Sequence, residues 1–130
     1  MLTLKINKMS IQILTIDTKA VDERGALHYF STDRTGELLL VYRHAGTVSG
    51  QHYHTGIAAG KNPEDMLLLQ GKALLDWKDL ATNISGKIEL AAPIRVKIPA
   101  NTWHALTAIT DIVFIELNSL SEGSEDTHRI

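Results

Sequence analysis

The feature that most constrains the fold is a series of short apolar or β-branched runs separated by turn-forming residues. Each run has the length of a β-strand, and the separators are rich in Gly, Pro, Asn and Asp, which favour turns. Several short strands at this spacing predict an all-β sandwich or barrel. The predicted strands cover residues 11–16, 26–30, 37–43, 51–54, 65–70, 72–77, 87–90, 94–98, 103–108 and 112–117.

Helical signals are weak. Residues 64–80 admit an amphipathic helix, but Gly71 interrupts the segment and its apolar residues form no stripe with helical spacing, so two strands are predicted there. The chain of 130 residues is long enough for one core. We expect a single domain over residues 1–120 and a loose polar tail over residues 121–130, where Ser, Glu and Gly are frequent.

Composition removes several classes of function. The net charge of -2 does not favour a nucleic-acid partner, which usually requires a basic face. The chain has no cysteine, which excludes disulfides, thiolate metal sites and cysteine nucleophiles and fits a reducing compartment. No apolar run approaches the roughly 18 residues of a membrane span, and the N-terminal residues do not resemble a signal peptide. We expect a cytoplasmic protein without a membrane partner, which starts at Met1 or at Met9.

Four residues have the chemistry of a metal site. His52 and His54 are two apart on a predicted strand, so both imidazoles point to the same face. Glu64 opens the next strand, and His104 begins a much later one. Three imidazoles and one carboxylate suit Mn, Fe, Co, Ni or Zn, and leave a coordination position open for substrate. The sequence therefore predicts one divalent metal ion, whereas ordinary surface or hydrogen-bonding roles are expected for His28, His44 and His128.

These residues lie in two motifs that resemble those of the cupin superfamily. The first motif has a glycine, five residues, H-x-H, a gap, a glutamate, six residues and a glycine, and here these are Gly46, His52-Tyr53-His54, Glu64 and Gly71. In the second, Pro99 and His104 match P-x-G-x-x-H, with Asn101 in place of glycine. The resemblance implies a single-domain cupin double-stranded β-helix, a jelly-roll barrel, whose mouth holds the metal.

Departures from the family pattern affect the barrel mouth. The gap between His54 and Glu64 is nine residues, against three or four in the family, so we expect a longer loop over residues 55–63. Asn101 tolerates a left-handed backbone, so the turn of the second motif survives. Strand alternation then predicts an inward set and an outward set. The side chains expected on the metal's face are Met66, Leu68, Gln70, Leu106 and Ala108, and those expected to point the other way are Tyr53, Leu67, Leu69, Trp103 and Ala105. The expected substrate pocket contains Met66, Leu68, Gln70 and Leu106, with Tyr42, Arg43, Lys61 and Trp103 as rim candidates.

A narrower resemblance concerns sugar-pathway enzymes. Asp22-Glu23-Arg24-Gly25 is similar to the D-x-R-G segment of dTDP-4-dehydrorhamnose 3,5-epimerases, although a polar turn explains it equally well. The segment 48–54 resembles the G-x-H-Y-H part of cupins in capsular-polysaccharide reductases. The resemblance implies proton transfer next to a carbonyl, with His54 and Glu64 as candidate catalytic residues. The epimerases themselves generally use a histidine–aspartate pair without a metal, so a full metal set fits them poorly.

Three functions remain open from the sequence. The first is a metal-dependent isomerase or epimerase acting on a small carbohydrate or keto acid, the second is an Fe(II)-dependent dioxygenase, and the third is a binding module without catalysis. Each takes a small molecule as its ligand. Small cupins commonly form dimers, so a homodimer is expected, with residues 11–16 as the candidate strand pairing across the two-fold axis.

Overall fold

The structure, a computed structural model, describes residues 11–117 and 126–130. These residues form eleven β-strands and a single turn of 3₁₀-helix, so the predicted all-β class is confirmed. The segment 64–80 forms two strands, as expected. The strands are β1 (Gln12–Thr15), β2 (Asp17–Asp22), β3 (Gly25–Tyr29), β4 (Leu39–Arg43), β5 (Val48–His52), β6 (Glu64–Gln70), β7 (Lys72–Asp79), β8 (Ser85–Ala91), β9 (Ile94–Ile98), β10 (Thr102–Ala108) and β11 (Ile112–Glu116), and the 3₁₀ turn is η1 (Ala59–Lys61).

Two antiparallel sheets enclose the core. One sheet has the order β1-β9-β6-β11-β4 and the other the order β5-β10-β7-β8. Apolar side chains from both sheets form one buried cluster, which includes Leu68 and Phe114 from the first sheet and Leu75, Leu90 and Leu106 from the second. Such a two-layer arrangement is stable because each sheet buries one apolar face against the other.

Residue alternation explains why these segments are strands. On β7, Ala73, Leu75 and Trp77 are buried and alternate with more exposed residues, the pattern of a half-buried strand. The first five residues of β6 are instead all buried, so both faces of this strand are covered. Leu67, expected to face away from the barrel interior, is fully buried for this reason. Glu64, at the start of β6, is thereby held in an environment with little water.

Replacing Leu68 by alanine is expected to lower the free energy of unfolding by about 2–5 kcal/mol, because it opens a cavity in the core. Leu68 is 0% exposed and belongs to the central cluster. Chemical denaturation followed by intrinsic fluorescence measures this change. Leu40→Ala is the control, since Leu40 is 57% exposed and buries little. An equal loss in the two variants would contradict the assignment of Leu68 to the core.

A hairpin formed by β2 and β3 stands apart from both sheets. Every residue of the two strands is exposed. Strand β2 was not predicted because its sequence, Asp-Thr-Lys-Ala-Val-Asp, lacks apolar alternation. The hairpin turn is made by the epimerase-like segment, where the Asp22 carboxylate accepts a hydrogen bond from the Arg24 backbone N–H at 2.8 Å and Gly25 has a φ of +135°. The structure therefore gives this segment the role of a polar turn.

Strand β1 lies within residues 11–16, the segment expected to pair across a two-fold axis. It pairs with β9 of the same chain, and its other edge forms the border of the five-stranded sheet. Across residues 11–117 and 126–130, no helix is long and apolar enough to cross a membrane.

Candidate functional site

Strand pairing brings the predicted metal ligands together. His52 ends β5 and lies opposite His104 of β10 in the antiparallel register. His54 lies two residues beyond the end of β5, and Glu64 is the first residue of β6 in the facing sheet. The imidazole centroids lie 4.8 Å apart for His52 and His54, and 4.9 Å apart for His52 and His104. The two sheets thus contribute to one cluster at one end of the barrel.

An irregularity in β5 positions the first histidine. The pairing of β5 with β10 shifts register between His104 and Ala105, so Gln51 is an extra residue on β5. Gly50 and Gln51 have positive φ values of 88° and 59°. A Cβ atom on Gly50 would lie 3.1 Å from the His104 carbonyl oxygen and 3.6 Å from its ring, so glycine permits the close approach of the two strands.

The cluster is compact and buried. The Glu64 Oε2 atom lies 3.0 Å from His54 Nε2 and 3.0 Å from His104 Nε2. His54, Glu64 and His104 are only 3%, 6% and 5% exposed. One possible ligand atom from each of the four residues lies within 4.8 Å of the others, a spread consistent with common coordination of a single ion.

The imidazole rings of His54 and His104 each make a hydrogen bond through Nδ1, on the side of the ring that faces away from Glu64. His54 Nδ1 lies 2.6 Å from the Asp126 carbonyl oxygen, and His104 Nδ1 lies 3.1 Å from the Thr102 carbonyl oxygen. Since a carbonyl oxygen only accepts, each Nδ1 carries a hydrogen, and each Nε2 is directed at Glu64. Three imidazoles and one carboxylate form a donor set that fits a divalent metal ion, to which each Nε2 would supply its lone pair.

The charges in the cluster shift one another's pKa values. Burial opposes the charged form of Glu64, but His104 and His54 outweigh burial and hold the pKa of this carboxyl well below its usual value. Burial likewise opposes protonation of His104, and Glu64 outweighs it and raises the pKa of that imidazole. Burial and the neighbouring His104 lower the pKa of His52 to about 4, so His52 is neutral at physiological pH.

A small cavity opens beside the cluster. Its volume is ≈ 170 Å³ and its wall is largely apolar. His52, Glu64 and His104 reach this wall, whereas His54 lies behind them. The lining residues are Arg43, Ser49, Gly50, His52, Glu64, Met66, Leu75, Ile98, His104, Leu106, Phe114 and Glu116. A second cavity, of ≈ 750 Å³, lies between residues 31–35, residues 59–63 and β9, and it contains none of the four cluster residues.

The expected pocket residues divide into two groups. Met66 and Leu106 line the cavity beside the cluster, and Leu68 is buried in the core next to it. Gln70 and Tyr42 lie instead on an exposed depression at the surface. Trp103 is partly exposed, and it alternates with the buried Thr102 and His104 on β10, so it faces away from the cluster.

Strand geometry explains the placement of Gln70 and Tyr42. The pairing of β6 with β11 shifts register between Val113 and Phe114, so alternation along β6 breaks before Gln70. Tyr42 is 66% exposed, because it alternates with the inward-facing Val41 on β4. The expectation that these two side chains line the pocket is therefore corrected.

Sequence reasoning missed one charged residue beside the cluster and placed another at the rim. Glu116 lines the cavity, and burial and the nearby Glu64 raise the pKa of its carboxyl. Its signal was present, since Ile112, Phe114 and Glu116 alternate along β11 and share one face. Lys61, expected at the rim, is 6% exposed and belongs to the 3₁₀ turn of the long loop. Its positive charge disfavours protonation of His52 and of Glu116, an influence smaller than that of burial on either pKa.

The C-terminal residues also reach the site. Residues 121–125 of the expected tail lie outside the described part of the chain. Asp126 is 0% exposed, and the backbone of His128 pairs with that of Tyr53 through bonds of 2.9 and 3.0 Å. The expectation of a loose tail is thus corrected for residues 126–130, because hydrogen bonds to the Asp126 carboxylate hold them.

Comparisons with known proteins identify the fold. No protein-family model and no curated protein matches the chain. A dTDP-4-dehydrorhamnose 3,5-epimerase from Sulfolobus tokodaii has a similar structure, with a TM-score of 0.78, 17% identity and coverage of 98% of this chain and 80% of that one. A 3,4-ketoisomerase from Helicobacter canadensis matches with a TM-score of 0.74, 20% identity and coverage of 94% and 92%.

A sugar 3,4-ketoisomerase from Thermoanaerobacterium thermosaccharolyticum, solved in complex with TDP, is also similar, with a TM-score of 0.74, 16% identity and coverage of 95% and 90%. At these identities the likeness shows the fold, which is a jelly-roll barrel of the cupin type. The predicted fold class is confirmed.

Proposed function

We propose that this cupin-fold protein is an isomerase or epimerase that moves a proton at a carbon next to the carbonyl of a sugar, with one divalent ion in its cluster. The observation that carries the proposal is the junction of the buried three-histidine, one-glutamate cluster with a largely apolar cavity that also contains Glu116. The fold is shared with epimerases and ketoisomerases of sugars, which supports a carbohydrate substrate.

The ion would be held by His52, His54, Glu64 and His104, and it would supply a Lewis acid that stabilises negative charge on the carbonyl oxygen. His54 and Glu64, the candidate catalytic residues, take ligand roles in this proposal. His54 lies behind the cavity wall, and Glu64 is shared by two imidazoles. The apolar side chains of Met66, Leu106 and Phe114 exclude water from the reacting carbon.

Proton transfer then requires a group outside the cluster. Among the described residues that line the cavity, Glu116 is the carboxylate that the cluster does not use. Burial raises the pKa of Glu116, which brings a carboxylate closer to the range of a useful acid or base at neutral pH. We assign to Glu116 the removal of the proton from the carbon and its return to the carbon that receives it.

Arg43 is placed to bind the anionic part of a nucleotide sugar. Its Nε donates to Ser49 Oγ at 2.9 Å and its Nη1 to the Tyr42 carbonyl oxygen at 3.2 Å. These bonds hold the guanidinium at the wall of the cavity, where it also borders the surface depression that contains Tyr42 and Gln70. A guanidinium matches the geometry of phosphate oxygens. A TDP complex of a structural neighbour fits this class of substrate.

The test is solvent deuterium incorporation into a panel of dTDP-linked 4-keto-6-deoxy sugars and free keto sugars, with protein loaded with Zn, Mn or Fe in turn. We expect incorporation at the carbon next to the carbonyl. Glu116→Gln should slow it by about 10²–10⁴-fold at unchanged metal content, because a positioned acid or base contributes that much. Glu89→Gln is the matched control, since Glu89 is an exposed glutamate on β8.

Three outcomes would contradict the proposal or a part of it. Absence of incorporation across the whole panel with metal-loaded protein would remove the isomerase and epimerase function. Oxygen consumption by the iron-loaded protein would favour the dioxygenase, which uses the same ligands. Equal rates for Glu116→Gln and the native protein would assign proton transfer to another group, such as the neutral His52.

We propose further that the protein is a homodimer. An isolated two-stranded hairpin is marginally stable in water, and the β2–β3 hairpin exposes Val21, Leu27 and Tyr29 at 74%, 55% and 53%. The free edge of β1, within the predicted segment 11–16, adjoins this hairpin in the chain. A second copy that covers both features would bury these apolar groups.

The double substitution Leu27→Asp, Tyr29→Asp is therefore expected to convert the dimer into a monomer, because these two residues share one face of β3 and the change places charge on that face. Sedimentation equilibrium across a range of concentrations measures the change. Lys87→Asp provides a control, because it changes the net charge by the same amount on an exposed strand outside the hairpin and removes no apolar group. A native protein that is monomeric at all concentrations would refute the dimer.

A further inference from the structure

The carboxylate of Asp126 organises the loop that follows the second histidine. It accepts hydrogen bonds from the Thr55 backbone N–H at 2.7 Å and from the Thr55 hydroxyl at 2.7 Å. It also accepts from the backbone N–H groups of Gly56 at 2.9 Å and Ala58 at 3.2 Å. The side chain is 0% exposed, so these donors replace the water that a carboxylate otherwise binds.

The backbone around Asp126 holds the histidine motif itself. The Asp126 carbonyl oxygen accepts from His54 Nδ1 at 2.6 Å. Two residues later, the His128 backbone exchanges two hydrogen bonds with Tyr53, which lies between the two motif histidines. Arg129 then donates to the Gly50 carbonyl oxygen at 3.3 Å, on the bulged part of β5. Residues 126–130 therefore run along the edge of the segment that carries the histidines.

These contacts act on one property of the site, the orientation of the His54 ring. A neutral imidazole exists in two tautomers, and its ring is free to turn when neither nitrogen is held. The carbonyl of Asp126 fixes the hydrogen on Nδ1 and leaves Nε2 toward Glu64. The position of that carbonyl depends on the anchored carboxylate of the same residue, because the side chain ties residue 126 to the loop over residues 55–58.

We propose that Asp126 is a positioning residue, which through its buried carboxylate and its backbone carbonyl holds His54 in the tautomer and orientation that the cluster requires. The C-terminal segment is thereby an integral part of the site. Outer contacts of this kind contribute to metal affinity because they preorganise the ligand before an ion arrives. The affinity part rests on the proposed ion, whereas the orientation of His54 does not.

The test compares Asp126→Asn and a chain that ends at residue 125 with the control Asp111→Asn. Asp111 also accepts a long-range backbone hydrogen bond, from Ala45 at 2.8 Å, but it lies at an exposed turn. The first readout is the proton on His54 Nδ1 in metal-free protein, assigned by NMR with a His54→Ala reference. We expect a downfield signal that is protected from exchange in the native protein and in Asp111→Asn. The signal should be lost in Asp126→Asn and in the chain that ends at residue 125.

The second readout is the affinity for Zn²⁺ or Co²⁺ by competition with a chelator. Removing an outer partner of a ligating histidine typically weakens binding by about 10–100-fold, and we expect a loss in this range for Asp126→Asn. Thr55→Ala removes one donor to the carboxylate and leaves Asp126 in place, so it should give a smaller loss in both readouts. This variant keeps the test decisive if the changes at residue 126 do not fold.

The results of these two measurements distinguish the positioning role of Asp126 from the proposed binding of a metal ion. A protected Nδ1 proton and unchanged affinity in Asp126→Asn and Thr55→Ala would overturn the positioning role. Native protein that binds no ion, yet shows a Nδ1 proton that depends on Asp126, would refute the metal and retain the positioning role.

Discussion

Replacing His52 and His54 together by alanine is expected to reduce the bound divalent metal from about one equivalent per chain to a trace. The double substitution leaves Glu64 and His104 as the remaining ligands of the cluster, and two protein ligands hold a divalent ion weakly. Elemental analysis of untagged protein, purified without a chelator and again after reloading, measures the change. This loss of bound metal is the largest change that we expect at the site.

The matched control is the double substitution His28→Ala, His44→Ala. His28 lies on the exposed hairpin, where its Nδ1 is 3.1 Å from the Thr18 hydroxyl, and His44 is exposed beside β4. This variant should keep the full metal content. If the native protein holds no metal even after reloading, the clustered histidines serve in proton transfer or structure instead. Bound iron would direct assays to oxygen uptake, whereas zinc or manganese would direct them to isomerisation.

Arg95→Ala is expected to lower the free energy of unfolding by about 3 kcal/mol, because it removes two charged hydrogen bonds to the buried Asp65 carboxylate. Arg95 donates to Asp65 through Nε at 2.9 Å and through Nη2 at 2.7 Å, and the two side chains are 12% and 4% exposed. It also donates to the Ser31 carbonyl oxygen at 2.8 Å and lies over the ring of Phe30. Denaturant unfolding followed by circular dichroism measures the loss.

The exposed pair of Arg24 with Asp22 provides the control for this prediction. Arg24 donates to Asp22 in a similar forked geometry, with a shortest distance of 2.8 Å, but its side chain is 85% exposed. Water and salt screen such a pair, so Arg24→Ala should leave the unfolding midpoint unchanged. An equal loss in both variants would show that burial does not govern the strength of the Arg95 pair.

The spacing of residues along the chain was sufficient to predict much of the fold and the members of the candidate cluster. Alternation of apolar and polar residues identified most strands, because one buried face imposes a period of two. It failed for β2, whose residues are all exposed and carry no such pattern. The second-motif turn also followed from sequence, since Asn101 adopts a φ of 59°, a conformation that asparagine tolerates better than most residues.

At Gly71, seven residues after Glu64, the structure gives the physical reason for a motif position. Its φ is 92°, and an added Cβ would collide with the Asp111 carbonyl oxygen where β6 turns into β7. Glycine is required there because other residues are strained at this φ and also lack space. The sequence pointed to the position through a resemblance, whereas the structure supplies the steric cause.

By itself, the sequence determined the all-β class, the two strands that carry His52 and His104, and the four residues that converge. These features depend on local periodicity and on residue types, which are visible along the chain. The tertiary structure decided which groups surround the cluster. The bulge on β6 turned Gln70 away from the cavity, and the position of β11 beside β6 placed Glu116 in its wall. Asp126 lies 72 residues from His54 in the chain, and only folding places its carbonyl on that imidazole, because no local pattern encodes a contact between distant segments.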